Sequence, residues 1–240
     1  MSGLRGEALE ALKLGIITIG QSPRVDVLPD FISALGFEPR IEQRGLLDDL
    51  TGTAIASLAP VSALDETLVT RLRDGTEVKL SERRVVEMLP QAVVSLEGRG
   101  VDLIALFCTG EFPPVSSSVP VLYPSAIVGS VVAALFSSMK DRDRTLCVVA
   151  PAKEQYSMLA RKWRDAGCAL AFETLSPYTG SAAEIERCAE RVAMLRCDMI
   201  VLDCIGYTEK IRSAFASAAR VPIILPRTLL ARVTAELLAR

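Results

Sequence analysis

Two cysteines occupy matching positions in two similar segments of the chain. Residues 101–110 read VDLIALFCTG, and residues 197–206 read CDMIVLDCIG. Each segment contains an aspartate, an apolar run and then a Cys-x-Gly turn, so Cys108 and Cys204 follow the ends of two strands. Ligands bind at this carboxyl edge in open α/β sheets. The repeat therefore predicts two related α/β units whose thiols face a shared cleft.

Two thiols on opposite sides of a bound molecule can move protons to and from one carbon. Inversion at such a carbon needs a base on one face and an acid on the other, and a thiolate and a thiol supply both. The sequence contains no histidine, which excludes Ser-His and Cys-His pairs. A cysteine titrates near about pH 8.5 unless cations or a helix N-terminus lower its pKa. We expect Thr208 to cap a helix after Cys204, and strand alternation predicts that Asp203 points away from the cleft.

The other four cysteines show no comparable pattern. No pair of cysteines has Cys-x-x-Cys spacing, which argues against a structural zinc site or a thioredoxin-type motif. The N-terminus carries Glu7 and Glu10 and no apolar export segment, so we expect a cytoplasmic protein with reduced thiols. We expect neither a metal nor a cofactor. Core positions are predicted for Cys147, Cys168, Cys188 and Cys197.

Short apolar runs rich in β-branched residues alternate with segments of helical spacing, as in a parallel sheet covered by helices. Asp74-Gly75 predicts a hairpin turn, Ser81 and Ser125 are predicted helix caps, and Ser181 with Glu184 forms a predicted capping box. The predicted strands are 14–19, 68–72, 77–80, 101–107, 119–122, 145–150, 168–175, 199–203 and 222–225. The predicted helices are 25–35, 83–96, 125–139, 153–166, 182–195 and 228–238.

The predicted fold class is α/β, with two pseudo-symmetric domains of mainly parallel sheets flanked by helices and an active-site cleft between them. The first half is predicted to comprise residues 12–114 plus 226–240, and the second half residues 115–225. A net charge of −2 without a basic cluster argues against nucleic acid as a partner. The longest apolar stretch, 125–139, is short for a membrane span and is interrupted by glycine and serine. A homodimer is expected only because homodimers are common among soluble enzymes.

Polar residues near the predicted cleft are candidates for binding a small carboxylate-bearing molecule. Gln21, Ser22 and Arg24 leave the first strand at the same sheet edge as the cysteines. Two arginines near a helix start oppose the helix dipole, which favours an anionic partner for at least one of them. Glycine amides in the Cys-x-Gly turns can approach an anion. Solvated loops and surface charges are the alternative interpretation. The candidate substrate-binding residues are Gln21, Ser22, Arg24, Arg83, Arg84, Thr109, Gly110, Ser125, Ile205 and Gly206.

The sequence resembles the AroM protein family from about Leu14 to the C-terminus. Three segments carry the resemblance: TIGQSPR at 18–24, SERRV at 81–85 and LDCIG at 202–206. AroM proteins are similar in fold to the aspartate/glutamate/hydantoin racemase superfamily. That similarity implies two pseudo-symmetric α/β domains, an active site between them, and two cysteines that work without a cofactor.

The resemblance also assigns roles by position. It matches Cys108-Thr109 to the first Cys-Thr/Asn motif of the racemases and Cys204 to their second cysteine. Glutamate and aspartate racemases usually follow that second cysteine with threonine, whereas this chain has Ile205. The departure argues against amino-acid substrate binding of the kind found in those racemases.

Three functions remain open on the sequence. The first is a cofactor-independent racemase, epimerase or isomerase that uses both cysteines next to a carboxylate. The second is a decarboxylase or lyase on the same fold with one dominant cysteine, which a mass change in the product would reveal. The third is a non-catalytic carboxylate-binding or regulatory protein, whose ligand would still stabilise it after both cysteines were changed to alanine.

Overall fold

The described chain alternates strands and helices from one end to the other. The structure is a computed structural model that describes residues 12–62, 65–139 and 144–238. The elements of the first half are β1 (Lys13–Thr18), α1 (Leu28–Leu35), β2 (Arg40–Gly45), α2 (Gly52–Ser57), β3 (Thr67–Arg71), β4 (Glu77–Ser81), α3 (Glu82–Val86), α4 (Leu89–Glu97), β5 (Leu103–Phe107) and β6 (Val121–Leu122).

The second half continues with the same alternation. Single 3₁₀ turns at Lys153–Gln155 and Arg164–Ala166 flank its second helix. Its elements are α5 (Pro124–Ser138), β7 (Thr145–Ala150), α6 (Tyr156–Lys162), β8 (Ala169–Thr174), α7 (Ala182–Met194), β9 (Met199–Leu202), α8 (Glu209–Ala218), β10 (Ile223–Ile224) and α9 (Pro226–Leu238).

Each half contains a four-stranded parallel sheet with the same connectivity. The strand order is β2-β1-β5-β6 in the first sheet and β8-β7-β9-β10 in the second. Strands β5 and β9, which precede the two cysteines, therefore occupy equivalent places, and every residue of both is buried. Such continuous apolar strands suit sheets covered on both faces. The predicted α/β fold with two related halves is confirmed.

The two halves exchange their covering helices. Helix α9 follows the last strand of the second sheet, yet its Leu230 packs in one core with Leu14 of the first sheet. Helix α5 follows the first sheet, yet its Val132 packs with Val148 of the second. Each such buried side chain contributes about 1.5–3 kcal/mol. The exchange therefore joins the two halves through shared cores.

The structure differs from the predicted division at one strand. Strand β6 lies beyond residue 115 but pairs with β5 in the first sheet, Ile104 opposite Val121. The division of the chain into two domains otherwise stays a prediction.

Several predicted helices have different bounds. The single helix predicted over 83–96 is two helices, α3 and α4, and Pro90 lies in the first turn of α4. Proline has no N–H for an interior helix bond, so it fits only a helix start. Helix α1 begins at Leu28 rather than residue 25, and the 153–166 segment is broken by its 3₁₀ turns. Strand β2 and helix α2 lie within residues 36–67, where the sequence predicts neither a helix nor a strand.

No helix in the described ranges is long and apolar enough to cross a bilayer.

Candidate functional site

Both predicted catalytic cysteines line one small cavity at the carboxyl edges of the two sheets. Cys108 follows β5 and Cys204 lies two residues beyond β9, so each half contributes one thiol. The cavity measures about 20 Å³, which is room for about one water molecule. Any substrate must therefore enter through an opening movement. Of the predicted site residues, those lining the cavity are Arg24, Cys108, Thr109, Gly110, Cys204 and Ile205.

The two thiols have the same backbone environment. The amide of Gly110 donates to Cys108 Sγ at 3.4 Å, and the amide of Gly206 donates to Cys204 Sγ at 3.3 Å. Close packing explains both glycines, because a Cβ on Gly110 would meet Leu68 at 3.0 Å, and one on Gly206 would meet Tyr178 at 2.6 Å. The repeated Cys-x-Gly sequence thus corresponds to a repeated thiol-binding turn.

The thiols differ in the charges around them. The pKa of Cys108 is raised to about 12, mainly by burial and in part by nearby Cys204 and Glu82, while the Gly110 amide and Lys162 oppose the rise. Burial also raises the pKa of Cys204, but the Gly206 amide and Arg24 offset part of that effect. Both groups are therefore thiols at neutral pH in this closed structure. Cys204 has the better support for a thiolate.

Arg24 supports Cys204 through a tyrosine that the sequence analysis missed. The buried guanidinium donates to the Asp26 carboxylate, to Thr18 Oγ1 at 2.9 Å and to the Tyr178 hydroxyl at 3.2 Å. The Tyr178 oxygen lies 4.0 Å from Cys204 Sγ. Burial raises the pKa of Tyr178 above its ordinary value, so its hydroxyl keeps its proton and can donate it in a hydrogen bond. In the sequence, the only indication of a role for Tyr178 is its position in the loop after β8, because that loop lies at the same sheet edge as the cysteines.

A buried ion pair joins the two cysteine turns. Lys162 Nζ donates to both Asp203 oxygens at 2.8 and 2.9 Å and to the Thr109 carbonyl at 2.7 Å. Trp163 Nε1 also donates to Asp203 at 2.9 Å, and Thr109 Oγ1 donates to the Asp203 carbonyl at 3.1 Å. Asp203 was predicted to point away from the cleft. Asp203 is among the residues that line the cavity, but its carboxylate is bound by Lys162 and Trp163, which do not line it, so the direction of this side chain stays a prediction.

A buried arginine fixes the turn after Cys204. Arg227 on α9 donates to the carbonyls of Ile205 and Gly206 at 3.0 and 2.8 Å and to Asp30 on α1 at 2.9 Å. The predicted cap of α8 is present, since Thr208 accepts from the amide of Ile211. The amide of Glu209, the first residue of α8, donates to the Asp30 carboxylate. The sequence instead predicts that this helix start supports the Cys204 thiolate.

Gln21 and Ser22 bind the protein itself. The Gln21 side chain accepts from the Arg73 amide at 3.0 Å, and the Ser22 hydroxyl donates to Asp48 at 2.6 Å. Arg73 Nε in turn donates to the Ser22 carbonyl at 2.7 Å. Both residues thus anchor the turn between β3 and β4 and do not line the cavity, contrary to their predicted placement.

Three other candidate residues also lie away from the cavity. Arg83 is 72% exposed and 4.0 Å from Asp65, and Arg84 donates to the Ser57 carbonyl. Helix α5 begins at Pro124 with Tyr123 at its cap position, so Ser125 is neither its cap nor a lining residue. Ser81 does precede α3, but its hydroxyl makes no capping bond. A proline in the first turn shifts the helix start in α5.

The hairpin of β3 and β4 closes the cavity. Leu68, Val69 and Thr70 of β3 form part of the cavity wall. The hairpin is fastened to the second half by Gln155, whose Nε2 donates to the Thr67 carbonyl at 3.0 Å. Three surface contacts add to this bond: Lys79 with Glu154 at 2.7 Å, Glu66 with Arg161, and Glu77 with Ser176.

All six cysteines are free. Among the residues that the structure describes, no group of three or more Cys, Asp or Glu side chains is arranged to hold a metal ion. Cys147, Cys188 and Cys197 pack in the core of the second half.

Comparison with known proteins places the chain in a recognised group. The family model described as AroM protein matches residues 14–238. No curated protein matches the chain at a significant level.

Solved structures share the fold at low sequence identity. Glutamate racemase from Francisella tularensis in complex with D-glutamate aligns with a TM-score of 0.56 and 15% identity, covering 96% of this chain and 82% of that one. Unliganded arylmalonate decarboxylase aligns with a TM-score of 0.57 and 14% identity, covering 96% of this chain and 93% of that one. Maleate isomerase Iso from Pseudomonas putida S16 aligns with a TM-score of 0.57 and 12% identity, covering 95% of this chain and 92% of that one.

Proposed function

The chain belongs to the AroM family, and from its fold and its paired thiols we propose that it is a cofactor-independent racemase, epimerase or isomerase. Its substrate is a small acid, and Cys108 and Cys204 exchange protons with the carbon next to the carboxylate. One observation carries the proposal: two thiols from equivalent turns of the two halves line the same enclosed cavity.

The reaction needs one thiol in each protonation state. Cys204, as thiolate, removes the proton from one face of the carbon and becomes a thiol. Cys108, as thiol, donates its proton to the opposite face and becomes a thiolate, so the overall charge is unchanged. The reverse direction uses the same groups in exchanged roles. Cys204 is assigned as the thiol that ionises more readily, because Arg24 and Tyr178 favour its charged form.

Proteins of the same fold support this reaction class. The names of glutamate racemase and maleate isomerase describe inversion or isomerisation of small carboxylic acids. A fold hosts many activities, so the assignment depends on the two thiols rather than on the likeness.

A decarboxylase is the second candidate. Arylmalonate decarboxylase shares the fold, and the unequal surroundings of the two thiols favour one dominant cysteine. In that reaction a C–C bond breaks, carbon dioxide leaves, and one thiol protonates the remaining carbanion.

Exchange with heavy water tests the main proposal. Wild-type protein incubated in D₂O with a panel of small chiral acids is expected to place deuterium at the α-carbon, which proton NMR detects. Cys108→Ser and Cys204→Ser should each slow turnover at least about 100-fold, since positioned acid–base groups contribute that much or more. Cys168→Ser, a half-buried thiol outside the cavity, is the matched control and should not change the rate.

Other outcomes identify the alternatives. Release of carbon dioxide with loss of activity in only one cysteine variant would favour the decarboxylase. Thermal stabilisation by an acid that persists in the Cys108→Ala/Cys204→Ala double variant, without any exchange, would favour a binding protein.

A further inference from the structure

The polar side chains that line the cavity are almost all engaged with the protein. Gln155 uses its amide nitrogen on Thr67 and its oxygen on the Ala152 amide. Asp203 is neutralised by Lys162, and the guanidinium of Arg24 is shared among Asp26, Thr18 and Tyr178. These groups are therefore committed to holding the cavity together.

Thr70 is the exception. Its side chain is 1% exposed, it lines the cavity, and its hydroxyl has no hydrogen-bond partner among the described residues. An unpartnered buried hydroxyl destabilises a protein unless something binds it. Thr70 stands in the part of the cavity wall that β3 forms, so its hydroxyl is a polar group there that is free to bind a substrate.

The charges around the cavity restrict what that substrate can carry. Among the lining residues that the structure describes, the only carboxylate is Asp203, which Lys162 already pairs. An ammonium group on the substrate would therefore find no unpaired carboxylate among these lining residues to accept its hydrogen bonds, which is unfavourable for a buried cation. The remaining walls are apolar and suit a hydrocarbon group: Ile19, Leu68, Val69, Met158, Leu159 and Ile205.

We propose that the site takes carboxylic acids whose α-carbon bears a hydrocarbon group rather than an ammonium, and that the Thr70 hydroxyl donates a hydrogen bond to their carboxylate. This inference rests on the proposed function and narrows its substrate class. It separates this chain from enzymes that act on α-amino acids.

Matched pairs of acids test the substrate class. 2-Phenylpropanoate and phenylglycine differ only in methyl against ammonium, and so do 2-methylsuccinate and aspartate. The methyl acids are expected to raise the melting temperature of the wild-type protein and to exchange their α-proton in D₂O, whereas the amino acids should do neither. If the amino acids exchange and the methyl acids do not, the substrate class is wrong while the proposed function stands. If no acid binds or exchanges, both fail.

Thr70→Val tests the hydrogen bond, because valine keeps the shape and removes the hydroxyl. The variant should bind the methyl acids about 10- to 100-fold more weakly, as expected for a bond to a charged group. Its melting temperature without ligand should be unchanged or higher, since an unpartnered hydroxyl has been removed. Thr76→Val, exposed on the same hairpin, should bind like the wild type. Unchanged affinity in Thr70→Val, or a lower melting temperature without ligand, would overturn the assignment of Thr70.

Discussion

Cys108 and Cys204 have equivalent backbone contacts but different side-chain neighbours. Each sulfur accepts a bond from the glycine amide two residues later. Only Cys204 has a tyrosine hydroxyl and an arginine beside it, while Cys108 has the carboxyl of Glu82 nearby. Burial raises the pKa of Glu82 to about 7, and its Oε2 has no partner in the described part of the chain. The asymmetry therefore makes Cys204 the more readily ionised of two thiols at equivalent positions.

This asymmetry predicts the pH dependence of thiol labelling. Iodoacetamide reacts with thiolates, and the pKa of each cavity thiol is raised, so labelling of both should increase with pH from 7 upward, roughly tenfold per unit below the pKa. Cys204 should label faster than Cys108, whose rate should still be rising at about pH 10 because its pKa is about 12. Peptide mapping by mass spectrometry gives the ratio of the two rates, which cancels their shared dependence on cavity opening.

Tyr178→Phe should lower the ratio of the Cys204 labelling rate to the Cys108 labelling rate about 3- to 10-fold at pH 8. The variant removes the donor that favours the Cys204 thiolate, at about the strength of one hydrogen bond, and leaves Cys108 unaffected. Tyr156→Phe, whose hydroxyl bonds to Thr174 instead, is the control. Faster labelling of Cys108 than of Cys204 in the wild type would contradict the charge assignment.

Among the elements, the β3–β4 hairpin was predicted from Asp74-Gly75 and is confirmed over Thr67–Arg71 and Glu77–Ser81. Its position over the cavity was not predictable. The contacts that fix it, such as Gln155 to Thr67, join residues far apart in the chain. The local sequence pattern predicts turns and periodicity, but it does not predict which side chains from distant parts of the chain will be in contact.

Loosening this hairpin should expose both thiols equally. Gln155→Leu leaves the Thr67 carbonyl without its buried donor, at a cost of about 1–3 kcal/mol. Labelling of Cys108 and Cys204 should therefore accelerate about 5- to 100-fold with an unchanged ratio, and amides of residues 67–81 should exchange faster by mass spectrometry. Lys79→Ala removes only an exposed ion pair, worth at most about 1 kcal/mol, and should have a much smaller effect. Equal effects of the two variants would show that Gln155 does not fasten the hairpin.

For the whole molecule, the repeated Asp–strand–Cys-x-Gly segments predicted the two-halved fold and directed attention to the two thiols that share a cavity. The supporting residues escaped prediction because each acts across the fold. Tyr178 reaches Cys204, Lys162 reaches the Thr109 carbonyl, and Arg227 reaches Gly206. Conversely, Gln21 and Ser22 are polar residues at the sheet edge predicted for substrate binding, but both accept hydrogen bonds from Arg73 in the hairpin turn.

The Lys162–Asp203 pair should stabilise the assembly of the two halves as well as the site. Lys162→Met leaves the Asp203 carboxylate buried with Trp163 as its remaining side-chain donor, and removing one partner of a buried pair costs about 3–5 kcal/mol. For a chain of 240 residues this corresponds to a fall in melting temperature of about 6–20 °C, measurable by calorimetry. Lys162→Met/Asp203→Asn should recover much of that loss because no charge remains buried alone. Arg191→Met breaks a half-exposed pair with Glu173 and should cost less than about 1 kcal/mol. A fall for Lys162→Met no larger than for Arg191→Met would mean that the pair does not hold the two cysteine turns together.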